Sequence, residues 1–435
     1  MECRWKEKPL AEVVDLVIDH RGKTPKKLNG DWAETGYRVL SAKNIKTGHI
    51  VQTDAIRYVD RDLYQKWMPD EVRRGDVFVT SEAPFGQIYY WDSDERIVLG
   101  QRLFGLRLNR TACDPKYAYY WMCGALFQSE LRGRATGTTV VGLRQPELLK
   151  CTIRLPSMAT QKAIANMLGA IDDKIALNYR INDHLAEMAM MLFDSECPQT
   201  NEPNAVLSDV AEITMGQSPS GSSYNENGHG EVFYQGRGEF GSFFPRRHLF
   251  TTEPKRMARE GDILVSVRAP VGDLNIAAED CCIGRGLAAI HSGSNQSFVH
   301  YLMRAQKRQL DTFNGDGTVF GSINGKALKE LSVYLPSNDG IAHLQSLLEP
   351  IDAMIRRNDD EMQALEQLRD ALLPRLMSGE IDISRIGLRQ LNGHLAKLVR
   401  EARAQDSTIT ATTVGTIHHG SQCAENKQYR RLHTR

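Results

Sequence analysis

The sequence predicts an α+β protein: two duplicated α/β domains separated by two long helices that form an antiparallel coiled coil. Three observations carry this expectation. The chain repeats itself at an offset of about 180 residues, too long for a solenoid unit, so a whole domain and its linker are duplicated. Two stretches nearly free of Gly and Pro carry apolar residues at heptad spacing. The segments between them are short apolar runs broken by Gly and Pro, the pattern of strands and turns.

The repeat is read from ordered matches. Leu155-Pro156-Ser157 recurs as Leu335-Pro336-Ser337, and Ile171-Asp172 as Ile351-Asp352. Upstream, with small loop insertions, Arg74-Gly75-Asp76-Val77 matches Glu260-Gly261-Asp262-Ile263, and Ala83-Pro84-Phe85-Gly86 matches Ala269-Pro270-Val271-Gly272. Gly100-Gln101-Arg102-Leu103 matches Gly284-Arg285-Gly286-Leu287, and Gly137-Thr138 matches Gly317-Thr318. The expected boundaries are a first domain over 1–157, a first spacer over 158–197, a second domain over 198–337, a second spacer over 338–384 and an extension over 385–435.

Within the first domain, Val77-Phe78-Val79, Ile88-Tyr89-Tyr90-Trp91 and Ile97-Val98-Leu99 are strand candidates, and Tyr117 to Met122 begins a helix. Ile263-Leu264-Val265 and the stretch from Phe298 to Met303 repeat the strand and the helix in the second. One helix beside a twisted sheet is the economical arrangement for each. The aromatic sets Tyr89-Tyr90-Trp91 and Tyr119-Tyr120-Trp121 read as core rather than as base-stacking platforms.

The spacers follow. The first has Leu168, Ile171, Ile175, Asn178, Leu185 and Leu192 on its seam; the second has Leu348, Ile351, Ile355, Asn358, Leu365 and Leu372. A seam Asn either fixes register at some cost in stability or sits in a loosely packed, solvent-touching middle. If the duplicated halves pair about a pseudo-two-fold axis, the helices run antiparallel and the domains lie toward opposite ends. The first spacer would be about 50 Å of helix, roughly 15 base pairs of B-DNA. Outward-facing Lys162, Lys174, Arg180, Arg356, Arg357 and Arg369 are then available to partners.

Composition bounds the function without choosing it. The chain has 435 residues, 54 basic and 54 acidic side chains and a formal net charge of zero, which gives no global bias toward nucleic acid. No apolar run is long enough for a membrane span, and the N-terminus lacks a signal-peptide core. The eight cysteines form no CxxC pair, so a reduced, cytoplasmic setting is expected.

Chemistry of its own is not written in the chain. There is no Asn/Asp-Pro-Pro-aromatic loop to hold a flipped adenine. Gly321-Ser322-Ile323-Asn324-Gly325-Lys326 falls one residue short of a phosphate-binding loop, and Ala327 stands where a hydroxyl is required. Gly236-Arg237-Gly238-Glu239-Phe240-Gly241 spells GxGxxG but runs into Ser242-Phe243-Phe244-Pro245 rather than a helix. His418-His419, Cys423 and His433 match no standard metal spacing, and the extension reads as a disordered tail. No metal, no cofactor and no catalytic residue is expected in this chain.

Two variable domains, each ending in a Gly-Thr loop, an LP step and a heptad helix with IDxxI, resemble the specificity subunits of type I restriction–modification systems. The ending Leu372-Leu373-Pro374-Arg375-Leu376-Met377-Ser378-Gly379-Glu380-Ile381 is similar too. The likeness covers roughly residues 8 to 385. The second copy departs from it by lacking the Gln161-Lys162 pair after the LP step, which leaves Gln161 without a role. The resemblance implies that the two domains are target-recognition domains, each reading half of a split, asymmetric site in double-stranded DNA. It implies that the helices hold two methyltransferase subunits, which bind S-adenosylmethionine, and that translocase–nuclease subunits join for restriction. The alternatives are a protein-binding scaffold, favoured by the zero net charge, and an autonomous enzyme, opposed by the missing motifs.

Base reading needs donors and acceptors on loops, with cations for phosphates. In the first domain Arg21, Lys23 and Thr24, then Lys43, Asn44 and Lys46, then Arg132, Arg134 and Thr138 fit that description. In the second, the candidates are Gln217, Ser218, Gln235, Arg237, Arg246, Arg247 and Arg268. Arg268 aligns with Glu82, so that position differs between the copies.

Overall fold

The computed structural model describes residues 5–137, 141–198, 202–315 and 321–383. Gly317-Thr318, Thr138 and the extension with its His and Cys residues lie outside the described residues. The described residues form two compact units, one of residues up to 175 with 364–383, the other of residues 176–363.

In the first unit, Lys6–Pro9 pairs antiparallel with Thr152–Leu155 and ties the start of the domain to its end. A four-stranded antiparallel sheet runs in the order Val14–Asp19, Leu103–Leu108, Val77–Thr80, Ile88–Tyr90. A three-stranded sheet, Arg57–Val59, Tyr37–Leu40, Val98–Leu99, has its last two strands parallel. Every residue of Val77–Thr80 is buried, which explains why that strand reads as a continuous apolar run without alternation. Phe78, Trp91, Val39 and Trp67 share one core cluster that joins the two sheets.

The second unit repeats this plan. Ala205–Val206 closes on Ser332–Val333. Glu212–Met215, Leu287–His291, Ile263–Ser266 and Leu274–Ile276 form the antiparallel sheet. Glu231–Tyr234 lies parallel to Cys281–Ile283 in the other sheet. The expectation of one helix beside one sheet is therefore corrected to two larger sheets per domain besides the closing strand pair. The second sheet is built from strands of two to four residues, too short for a period of two to register in a sequence.

The repeated motifs are turns and caps. Gly86 and Gly272, which end the two Ala-Pro-x-Gly motifs, have φ of +72° and +86°, a left-handed conformation that favours glycine. A Cβ at Gly272 would also sit 2.6 Å from the Leu310 Cβ. Both Ala–Pro bonds are cis.

The spacer helices span Met158–Glu196 and Asn338–Ser378. The Asp of each IDxxI docks the helix onto its own domain. Tyr120 donates its hydroxyl to Asp172 at 2.6 Å, and Tyr301 donates to Asp352 at 2.8 Å. Burial, then the facing carboxylate, pushes both phenols far above the ordinary tyrosine range. Gln161 gains the role the sequence left open. It is buried, accepts from the Asp114 N–H at 2.9 Å and donates to Pro156 O at 3.0 Å. In the second copy Gln345 accepts from the Phe298 N–H at 3.0 Å and steadies the equivalent helix.

Within the second unit the two helices run antiparallel through a buried amide cluster. Asn178 donates to the Glu361 carboxylate at 2.7 Å. Asn182 donates to Ile355 O at 3.1 Å and accepts from Asn358 Nδ2 at 2.7 Å. Asn178 and Asn182 have no exposed surface, so the solvent-touching alternative does not apply to them; Asn358 is half-buried. Leu168, Ile171, Ile175, Leu348, Ile351, Ile355 and Leu372 are buried, whereas Leu185, Leu192 and Leu365 are only half-buried. In the first spacer Ala186, Ala189 and Phe193 take the buried places. They follow Leu168, Ile171 and Ile175 by five turns of 3.6 residues each, so an undistorted helix carries the strict heptad off the seam. Two cations expected on outer faces turn inward instead. Arg369 donates to Asp172 at 3.1 Å, and Arg356 donates to Ala278 O at 2.9 Å with its guanidinium over Phe244. Among the described residues no helix is long and apolar enough to cross a membrane.

Candidate nucleic-acid interface

Four separate loops of the first domain are laced into one surface by backbone hydrogen bonds. The Gly100 N–H donates to Leu40 O at 2.6 Å, and Ala42 N–H to Gln101 O at 3.2 Å. Ser81 N–H donates to Arg102 O at 2.8 Å, and Leu143 N–H to Ser81 O at 3.0 Å. A cleft of about 320 Å³ opens among them, lined by Lys23, Lys43, Arg57 and Arg102 together with Trp32 and Gln101, and no carboxylate lines it. The Arg57 guanidinium lies 3.9 Å over the Trp32 ring, a cation–π contact that holds the charge at the rim. Lys23 Nζ donates to Trp67 O at 2.7 Å. Burial lowers the Lys23 pKa against the pull of Asp70; burial and then Lys23 lower that of His20.

The second domain is laced alike, except that the second bond runs in the opposite direction between the paired loops. Gly284 N–H donates to Tyr234 O at 2.8 Å and Gly286 N–H to Gln235 O at 3.2 Å. Val267 N–H donates to Gly286 O at 2.9 Å and Ile323 N–H to Val267 O at 3.0 Å. The loop before them joins through Gln217 N–H to Ile283 O at 2.9 Å, while Ser218 Oγ accepts from Arg285 N–H at 3.2 Å. Glycine is required by this close approach: a Cβ at Gly284 would stand 2.8 Å from the Gln235 Cα. The bonds bring Gln217, Gln235, Arg268 and Arg285 onto one rim, and all four are exposed.

Several expected contact residues have structural work instead. Asn44 is buried; its Oδ1 accepts from Ser41 N–H at 3.1 Å and its amide reaches Val51 O and Gln52 O, closing a short turn. Arg21 is forked onto Asp19 at 2.8 and 2.9 Å, donates to Leu143 O and covers Phe104. Arg134 is held by Glu130 at 2.8 Å. Burial raises the Glu130 pKa, but hydrogen bonds from Thr152 and Arg134 outweigh it and leave the carboxyl below its usual value. Arg237 pairs with Asp273, and Arg247 with Glu279. Lys46, Arg132 and Arg246 are exposed away from the lacing bonds. Lys23, Thr24, Lys43, Gln217, Ser218, Gln235 and Arg268 are brought into the two rims.

The structure adds Trp32, Arg57, Gln101 and Arg102 in the first domain and Arg285 in the second. The signal for three of these lay in the aligned pair Gly100-Gln101-Arg102 and Gly284-Arg285-Gly286, where polar side chains sit between or beside repeated glycines. Chemically, the rims offer guanidinium forks suited to guanine or phosphate and amides suited to adenine. Burial lifts the Cys113 and Cys151 thiols to about 12, far from nucleophilic. Among the described residues no group of His, Cys, Asp and Glu side chains could hold a metal ion.

Comparison with known proteins places this architecture. The family model for the type I restriction modification DNA specificity domain matches twice, over residues 3–187 and 204–365. The chain is similar to the MjaX specificity subunit of a type I restriction enzyme from Methanocaldococcus jannaschii, at 30% identity over 87% of this chain and 94% of that protein. It is also similar to the MjaIX specificity subunit of the same organism, at 22% identity over 72% of this chain and 79% of that protein. Among solved structures, the S subunit of a type I restriction-modification system from M. genitalium shares the fold, with a TM-score of 0.54 and 16% identity over 86% of this chain and 96% of that one.

Proposed function

The chain belongs to the type I restriction–modification specificity-subunit family, and from that premise we propose how its two rims and two helices divide the work. It is a non-catalytic DNA-recognition subunit with two target-recognition domains. Each rim reads one half of a split, asymmetric target in double-stranded DNA. The spacer helices carry two methyltransferase subunits, which bring S-adenosylmethionine, and translocase–nuclease subunits join that core in the cytoplasm.

One observation carries the reading. Three of the four lacing bonds recur in both domains, and the fourth joins the same two loops in the opposite direction, while the side chains on the frame differ, with Glu82 in one against Arg268 in the other and Gln101 against Arg285. A constant frame with altered donors and acceptors is what two readers of different half-sites require. A scaffold that bound one protein partner twice would have no use for the difference.

The test is methylation by the chain assembled with its methyltransferase subunits on a degenerate duplex library, with the modified products sequenced. Two short conserved blocks separated by a fixed gap are expected. Salt-sensitive binding with no enriched sequence would reduce the chain to a non-specific binder.

A further inference from the structure

We propose that Glu82 and Arg102 together read a single G·C base pair for the first domain; this rests on the reading of the rims as DNA-recognition surfaces. Both side chains stand at the rim, Arg102 49% and Glu82 33% exposed, with Arg102 Nε 2.8 Å from Glu82 Oε1. Their backbones are fixed by the lacing bond from Ser81 N–H to Arg102 O.

Three features set this pair apart from the other charges of the rim. Arg102 has φ +65°, a left-handed conformation unfavourable for a non-glycine residue. Gly286, the corresponding residue of the second domain, does not adopt a left-handed φ, so this conformation is particular to the first rim. Retaining a long cation where glycine is easier points to work done by the side chain. Second, Lys23, Lys43 and Arg57 already line the cleft, so phosphate neutralisation does not need Arg102. Third, Glu82 is a carboxylate on a surface that must approach phosphates, an unfavourable placement unless the carboxylate has its own task.

The geometry supplies that task. The Glu82 oxygen holds the guanidinium at Nε. Among the described residues, neither terminal amino group of Arg102 has a hydrogen-bond partner. A fork with that edge free matches O6 and N7 of guanine, and the second Glu82 oxygen can accept from the N4 amino group of the paired cytosine. In the second domain Arg268 replaces the carboxylate and Arg285 replaces Gln101. That rim presents two guanidiniums without the acceptor for cytosine, and the two half-sites differ at this position.

The experiment uses the full chain in complex with its methyltransferase subunits, sequencing methylated products from the degenerate library at several salt concentrations. With Arg102→Ala, discrimination at one G·C position in one half-site should fall about 10- to 100-fold, with the other half unchanged. Arg102→Lys keeps the charge but lacks the bidentate fork, so it should relax the same position. Glu82→Gln should relax it less. Melting of each variant complex against the parent separates misfolding from lost reading, and Arg102→Lys preserves the ion pair if the alanine variant does not fold. An unchanged motif in both Arg102 variants overturns the assignment. So does a uniform loss across all sequences with a shallower salt dependence, the signature of a phosphate contact. A parent complex that selects no motif would instead remove the recognition reading itself.

Discussion

Asp76 shows how one buried charge organises a domain. It follows the Gly75 turn, is 2% exposed, and takes both Nε and a terminal amino group of Arg107 at 3.0 and 2.8 Å while accepting the Arg73 N–H. The second domain solves the same problem differently: Asp262 pairs with His291 Nδ1 at 2.6 Å and accepts the Arg259 N–H. A charge taken out of water is tolerable only while its partner is present. Arg107→Ala should therefore cost the first domain about 3–5 kcal/mol, read as lost hydrogen-exchange protection in Leu103–Leu108 and Val77–Thr80 with Ile263–Ser266 unaffected. Adding Asp76→Asn should restore part of it, because the amide oxygen still accepts the Arg73 N–H and no charge is left stranded. If the double variant is as unstable as the single one, packing of the Arg107 stem, rather than the orphaned carboxylate, dominates. The Arg-Gly-Asp and Glu-Gly-Asp matches were visible in the sequence, but their partners lie 31 and 29 residues away across the sheet, a separation no local pattern encodes.

At the scale of elements, the spacers were the most legible and the rims the least. A helix is written in its own periodicity, so the two long stretches, most of their seam residues and the antiparallel pairing could be read directly. In the first spacer the heptad failed where the real period of 3.6 accumulates, at Leu185 and Leu192, and it gave no hint that Asn182 completes the amide cluster; in the second, Leu365 is half-buried while Leu372 one heptad on is buried. The rims depend on bonds between loops far apart in sequence, so basic residues there could be counted but not sorted. Arg21 and Lys23 are two residues apart, yet one is locked over Phe104 and the other lines the cleft. The IDxxI motif, by contrast, is legible only after the fact, as the dock between helix and domain. Asp172 serves both Tyr120 and Arg369, whereas Asp352 serves Tyr301 with His300 at 3.7 Å. Removing Asp172 should then be the more damaging change, since it leaves a buried hydroxyl without its acceptor and strips the half-buried Arg369 of one of its two carboxylates, Asp370 being the other, at about 2–3 kcal/mol. Asp172→Ala should expose the amides of the helix Pro115–Cys123 to exchange. Tyr120→Phe should do so more weakly, and the double variant should add little to Asp172→Ala, because one hydrogen bond is being broken twice.

Across the whole molecule, equal numbers of acidic and basic side chains hide an uneven distribution. The first rim gathers Lys23, Lys43, Arg57 and Arg102 around a cleft without a carboxylate lining it, while acids elsewhere in both domains are spent on structural pairs such as Glu130–Arg134 and Glu279–Arg247. Summed charge therefore says little about DNA binding here, and the duplication says more. Because both domains share closing strands, the order of the four-stranded sheet and most of the rim lacing, recognition should travel with a domain as a unit. A chain in which residues 204–337 are replaced by a second copy of the first domain keeps both spacer helices, and the copy brings its own closing strand pair in place of Ala205–Val206 with Ser332–Val333. In complex with the methyltransferase subunits it should methylate a target containing the first half-site twice and ignore the original second half-site. The frame of each domain is complete without the other's side chains, since every bond in the lacing lies within one domain. Continued selection of the original second half by the duplicated chain would place that choice in the helices or the partner subunits and take it away from the rims.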